Sequence, residues 1–457
     1  MNLKTLRTAA ALASALAAAA APGFAQADFT RYVAIGDSLT AGYQSAGLFQ
    51  SAQVNSYPAV IARQAGFADF QQPLVSDPGI PAHLQLNSLV GPQIGPAAGH
   101  GVPLNLSLAR PYNNLGVPGA RVHDTVATIN DGGLHDLILR NPAFQNTTAL
   151  QQAFSLHPTF VTIWIGNNDV LGATTSGRVI EGVTLTPIAS FQADFRTVVN
   201  TIAASGAKMA IANIADTSSI PFATTIPPFL VSNGAPVLGP NGVPIPFIGP
   251  RPDLPGGVGP LRLTDRVLLS AAPHLAAGDG RPPGVPGASG VPLTDGDVLS
   301  TEESAAIAAR TAAFNAFIES EANRVGAAFI DARSTLATIA STGLNIGGIK
   351  FSSAFLTGGI FSYDGVHPTR FGYAFVADRF IAAINAKFGN HIPPPNFAAA
   401  MQGGGGGGSL VALDLSSLYL SPEANANLRI GLNTPSDEEL SQLLPHKPRR
   451  GRGGHKH

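Results

Sequence analysis

In "VAIGDSLTAGY", residues 33–43, an apolar run ends at Gly36, Asp37 and Ser38. A serine in that place is either one of three turn formers or a nucleophile held at the end of a strand. The second role needs partners: a base to take the hydroxyl proton, an acid to orient that base, and donors for the charge that grows on an attacked carbonyl oxygen.

Each partner has a candidate. In "YDGVHP", 363–368, Asp364 precedes His367 by three positions, near enough for the carboxylate to hold the imidazole in one tautomer and stabilise its charged form. The same spacing also occurs in helix caps and exposed turns. "WIGNNDVL", 164–171, ends an apolar run in Gly166-Asn167-Asn168-Asp169. Asn is an uncharged donor suited to an oxyanion, although an Asn-rich turn has the same composition. "NLGVPGARVHD", 114–124, sets Gly116 and Gly119 around Pro118, as an ordinary Pro-Gly turn or as a source of a backbone donor.

Such groups must be positioned by a scaffold. Tyr32–Ile35, Thr159–Ile165, Lys208–Ala212 and Ala327–Ile330 are short apolar runs that read as buried strands. Before the last of them, "STEESAAIAARTAAFNAFIESEANRVG" places Ile307, Phe314, Ile318 and Val325 on one helical face, and Ser300 with Glu303 makes a capping-box pattern. Phe191–Ala204 reads as a helix before the Lys208 strand, and Tyr373–Phe388 as a terminal helix. Apolar strands alternating with helices predict a parallel sheet covered on both faces, with ligands bound at the carboxyl ends of its strands.

Taken in order, "GDSLT", "NLGVPGA", "GNND" and "DGVHP" resemble the four blocks of the GDSL esterase/lipase family, also called SGNH hydrolases. "ANIADTSSIPF" at 212–222 resembles that family's strand and loop after the third block, and Asn315 and Asp331 fall in similar settings. The resemblance implies an α/β fold, a flavodoxin-like three-layer α/β/α sandwich with a parallel central sheet. It implies a triad of Ser38, His367 and Asp364, with oxyanion donors from the Ser38 N–H, the Gly119 N–H and the Asn168 side chain. Gly119 is preferred to Gly116 for its offset from Asn114. The implied reaction is carboxylic ester hydrolysis through an acyl-enzyme on Ser38, with no cofactor and no metal.

Members of that family act on lipid esters, aryl esters, thioesters and acetylated sugars. A small-molecule acyl or lipid ester is the leading expectation, with carbohydrate O-deacetylation as the alternative and a non-catalytic surface-binding protein as a third reading. The zinc-protease pattern and cysteine ligand sets are absent, and "LTDGDVLSTEE" at 293–303 departs from the full calcium-loop pattern.

The ends of the chain frame this body. "MNLKTLRTAAALASALAAAAAPGFAQA" has Lys4 and Arg7, an Ala/Leu-rich stretch and a small-x-small site at Ala25-Gln26-Ala27, and so reads as a signal peptide over residues 1–27. The expected location is secreted or periplasmic. No stretch reaches the ~20 apolar residues of a spanning helix, so no transmembrane segment is expected. The chain has no cysteine, which excludes a disulfide framework and leaves stability to a packed core. Without Lys4 and Arg7, the remaining 25 basic residues face 28 acidic ones, a balance that gives the body no nucleic-acid footprint.

The hydrolase domain is expected over 28–395. Within it, the Pro/Gly-rich interval 221–296 reads as a surface insertion, either a tolerated excursion or a substrate wall built on Phe222, Phe229 and Phe247. Residues 73–103, similarly rich in Pro and Gly, are a candidate for the opposite side. Residues 396–457 read as a largely disordered appendix: a spacer at Gly403–Gly408, a short helix candidate at Ser436–Leu444 and the basic end "HKPRRGRGGHKH", with a possible weak contact to an anionic surface.

Overall fold

The computed structural model describes residues 26–89, 91–402, 415, 418–432, 434–435 and 440. Its centre is a five-stranded parallel sheet of β1 (Tyr32–Gly36), β2 (Asn114–Gly116), β3 (Phe160–Trp164), β4 (Lys208–Ala212) and β5 (Ala328–Ile330). The spatial order is β2-β1-β3-β4-β5, which is the order of the flavodoxin-like fold that the family resemblance implies. The four expected strands are present. The edge strand β2 was not foreseen, because "NLG" is three residues long and ends in glycine.

Every residue of β1 and β3 is buried, so both are largely apolar rather than alternating, and the one polar side chain, Thr162, is hydrogen-bonded to the Tyr32 hydroxyl. Their side chains still point alternately to two faces. Val33, Ile35, Val161 and Ile163 join one core with Phe191, Phe195, Phe314 and Ile318. Tyr32, Ala34 and Phe160 join a second core with Tyr57, Ile61, Tyr373 and Phe380. These two cores make the three layers.

The helices that fill the outer layers or carry the site are α1 (Ser38–Ala41), α2 (Tyr57–Gln64), α3 (Val122–Ala127), α4 (Ala149–Ser155), α5 (Asn168–Ser176), α6 (Ile188–Ala204), α7 (Thr301–Arg324), α8 (Ala332–Ser341) and α9 (Arg370–Phe388). The capping box on α7 forms as the sequence predicts, with Ser300 accepting from the Glu303 N–H and the Glu303 carboxylate accepting from the Ser300 N–H. Phe314 on its buried face stacks on Phe191 of α6 at 3.8 Å between ring centroids. Helix α9 begins at Arg370, earlier than expected, because Thr369 caps it by accepting from the Gly372 N–H at 3.1 Å.

The insertion 221–296 is a chain of small hairpins around a core of its own, in which Leu230, Phe247, Leu261 and Leu293 are buried. Phe222 lies instead in the main core. Among the described residues no helix is long and apolar enough to cross a membrane.

At the C-terminus the expected appendix gives way, in part, to structure. Tyr419–Leu420 pairs in parallel with Gln93-Ile94, and helix α10 (Pro422–Gly431) follows it. Leu418, Leu420, Ala424 and Leu428 are apolar and buried in the main core, which is why this segment docks on the body. Residues 1–25 of the expected signal peptide over 1–27, the glycine spacer, the basic end and, but for Leu440, the helix candidate at Ser436–Leu444 lie outside the described residues.

Candidate active site

The sheet order reverses between β2 and β3, on either side of β1, and the loops leaving β1 and β3 carry Ser38 and Asn168. This is the crevice where a doubly wound sheet binds ligands. Ser38 is the first residue of α1, so its N–H has no acceptor within the helix. Asp37 caps that helix, accepting from the Leu39 N–H at 3.0 Å.

His367 Nε2 lies 2.8 Å from Ser38 Oγ, and His367 Nδ1 lies 2.9 Å from Asp364 Oδ2. All three side chains are buried, although the chain brings Ser38 and His367 together across a separation of 329 residues. Asp364 also accepts from the N–H groups of Ala46, Val366 and His367 and from Ser362 Oγ. Burial pushes its carboxyl up, but the charge and hydrogen bond of His367 and these backbone donors hold it below the ordinary aspartate value. It is therefore an anion at neutral pH, and it fixes the Nδ1–H tautomer that leaves Nε2 free to take a proton from Ser38.

The loop that receives Asp364 is strained. Ser45 and Ala46 have φ of 52° and 56°, in the left-handed region, at a cost of about 1–3 kcal/mol each. The Ser45 N–H donates to Ser362 Oγ and the Ala46 N–H to Asp364 Oδ2, so the strain is tied to the carboxylate.

Asn168 Nδ2 donates to the Ala120 carbonyl at 2.9 Å, which anchors the amide beside Gly119. Gly119 has φ of 83°, a conformation that favours glycine. Gly116 has a packing reason instead: it lies in β2, where a Cβ would stand 2.5 Å from the Ala41 nitrogen. The Ala120 carbonyl takes one of the two amide hydrogens of Asn168, and the side chain lines the same cavity as Ser38 and His367.

Two side chains that were not assigned from the sequence brace this arrangement. Asn167 Nδ2 donates to Asp37 Oδ2 at 2.8 Å, joining the serine turn to the asparagine loop. Burial pushes Asp37 up to about 6, against the pull of Asn167 and the Leu39 N–H. Asp169 accepts from the Val122 N–H at 3.0 Å, joining α5 to α3, and burial pushes it up to about 7. A polar residue next to a motif was the available signal for Asn167, but its partner lies 130 residues away.

Asn315 and Asp331 lie outside this cluster. Asn315 pairs with both backbone groups of Ile214, and Asp331 caps α8 while accepting from Asn213.

Ser38, Asn168 and His367 open onto a cavity holding, with its open mouth, about 970 Å³ of empty space. Its walls are apolar: Leu336 and Ile339 of α8 face Phe375 and Val376 of α9, with Trp164 and Phe361 beside them. No residue of the insertion 221–296 lines it. The expected substrate wall of Phe222, Phe229 and Phe247 is thus corrected: Phe222 and Phe247 are buried in cores of the protein, and helices α8 and α9 supply the wall.

The family model described as GDSL-like lipase/acylhydrolase matches residues 32–380. The chain belongs to that family. Two solved structures are similar to this member of the GDSL-like lipases and acylhydrolases. One is described as a GDSL-like lipase from Parabacteroides merdae, at 11% identity and a TM-score of 0.32, covering 79% of this chain and 100% of its own. The other is an extracellular lipase from Streptomyces rimosus, at 17% identity and a TM-score of 0.33, covering 78% of this chain and 98% of its own. No curated protein matches the chain.

Proposed function

We propose that this family member is an exported serine hydrolase that cleaves carboxylic acyl esters through Ser38, His367 and Asp364. The observation that carries the reading is the hydrogen-bond chain from Asp364 through His367 to Ser38 at the mouth of an apolar cavity. His367 Nε2 takes the proton as Ser38 Oγ bonds to the ester carbonyl carbon, and the Ser38 N–H, Gly119 N–H and Asn168 amide receive the oxyanion. Collapse expels the alcohol with the proton from His367 and leaves an acyl-Ser38 ester. Water, deprotonated by His367, then releases the acid.

The alcohol must leave, whereas the acyl arm stays bonded through the second step. An apolar cleft suits the arm that stays, so the acyl chain is assigned to the cavity lined by α8 and α9. Residues from Ala332 to Ile339, about 10 Å of α8, line it, so a medium-length chain such as octanoyl is the expected occupant. Export is supported by the charged, apolar and small-x-small order of residues 1–27.

The test compares acetyl, butyryl and octanoyl aryl esters and an acetylated sugar, for the purified protein and for Ser38→Ala. Octanoyl ester hydrolysis that disappears in Ser38→Ala is the expected result. Preference for the acetylated sugar would move the assignment to O-deacetylation, and equal rates in both proteins would end the serine mechanism.

A further inference from the structure

The family match ends at residue 380, and the reaction as derived uses nothing beyond it. Yet the segment from Leu418 to Thr434 reaches the back of the site. Leu420 and Leu428 are fully buried in the core that holds Tyr43. Asn427 Nδ2 donates to the Ala82 carbonyl at 2.9 Å. Thr434 Oγ1 donates to Thr175 Oγ1 at 2.8 Å, and Thr175 belongs to α5, the helix that begins at Asn168.

The closest approach is at Gly431, the last residue of α10. A Cβ there would stand 2.3 Å from Tyr43 Oη and 2.9 Å from two atoms of its ring, so only glycine lets the helix seat. The Tyr43 ring packs in turn on the His367 imidazole, with centroids 4.9 Å apart and planes at 59°. Its hydroxyl is buried without a hydrogen-bond partner among the described residues, so the side chain is held there by contact. Its carbonyl accepts from the Tyr373 hydroxyl at 2.5 Å.

The hydrogen bonds at His367 Nδ1 and Nε2 oppose rotation of the ring about its Cβ–Cγ bond. The Tyr43 ring adds a packed neighbour beside the imidazole, which opposes a shift of the whole side chain out of line with Ser38. We propose that residues 418–434 are a strap that completes the active site from behind, in which Gly431 seats Tyr43 and Tyr43 holds His367 in line with Ser38. Tyr43 and Gly431 are positioning residues, and the assignment rests on reading His367 as the general base.

The experiment uses the full chain. Gly431→Leu, which forces Tyr43 aside, is expected to lower kcat by 10-fold to ~10²-fold per Ser38 titrated with a fluorophosphonate, with KM within about twofold. Tyr43→Phe, which keeps the ring, retains most of kcat. Adding Tyr43→Phe to Gly431→Ala recovers part of what Gly431→Ala alone loses, and this pair decides the question if Gly431→Leu does not fold. Ring resonances of His367 are expected to move in Gly431→Ala while those of His391 stay.

Unchanged kcat per titrated site, or His367 resonances that do not move, would overturn the strap and leave residues 418–434 a stabilising appendage. If the parent hydrolyses no ester, the proposed function fails, and the His367 resonances still decide the strap.

Discussion

Ser38 sits where one turn must satisfy three demands at once: a helix start with a free N–H, a hydroxyl in reach of His367, and a carboxylate beneath it in Asp37. Replacing Asn168 by Ala removes a donor of the proposed oxyanion site and is expected to lower kcat by on the order of 10²–10³, while loss of its bond to the buried Ala120 carbonyl costs about 1–3 kcal/mol of stability, as steady-state kinetics and a thermal melt would read. Asp37 carries a pH signature. Its carboxyl titrates at about 6 in the fold against 3.8 when free, so the folded state holds the proton more tightly. Stability from this group is therefore present at low pH and declines as pH rises from near 4 through about 6. Asp37→Asn, with Asn167 turned to offer its oxygen, has no such decline. Urea unfolding at pH 4.5 and 7.5 should show the variant gaining on the parent at the higher pH, and an equal difference at both would refute the assignment. Ser38, Asn168, Asp364 and His367 were legible because each lies in a contiguous block. The Asn167–Asp37 bond was not, since it joins two such blocks and depends on the distance between β1 and β3.

Among the elements, strands and long helices were read from pattern because burial on both faces demands uninterrupted apolar runs and a helix face repeats every three or four residues. What escaped was decided by tertiary contact. Strand β2 is too short to carry a pattern, and α9 starts early through one Thr369 hydroxyl. The insertion's reading as a substrate wall failed for a related reason: Pro/Gly-rich sequence reveals a surface excursion but not which helices flank the serine. Helices α8 and α9 do so, with Ile339 in the channel wall. Ile339→Phe should fill part of the channel, at a packing cost of about 1–3 kcal/mol, and shift the preference from octanoyl toward butyryl esters. A kcat/KM series over acyl length would show it, and an unshifted optimum would place the acyl arm elsewhere.

Across the whole molecule, the sheet, the insertion and the C-terminal segment make different demands on the chain. The sheet with its two cores positions the site, the C-terminal segment reaches the main core through Leu420 and Leu428, and most of the insertion buries its apolar residues against itself. Composition could separate these regions but not rank their coupling to Ser38, because docking depends on which few leucines face the body. The insertion's own core predicts that it can be loosened without touching specificity. Phe247 is buried there with Leu230, Leu261 and Leu293, and none of the four lines the channel. Phe247→Ala should destabilise this region by about 3–5 kcal/mol, read as faster proteolysis or hydrogen exchange within 228–293. The ratio of octanoyl to butyryl kcat/KM should remain that of the parent, in contrast to Ile339→Phe. If the ratio moved as far in Phe247→Ala as in Ile339→Phe, the insertion would have to reach over the channel mouth during turnover, and the acyl arm would need walls from both regions.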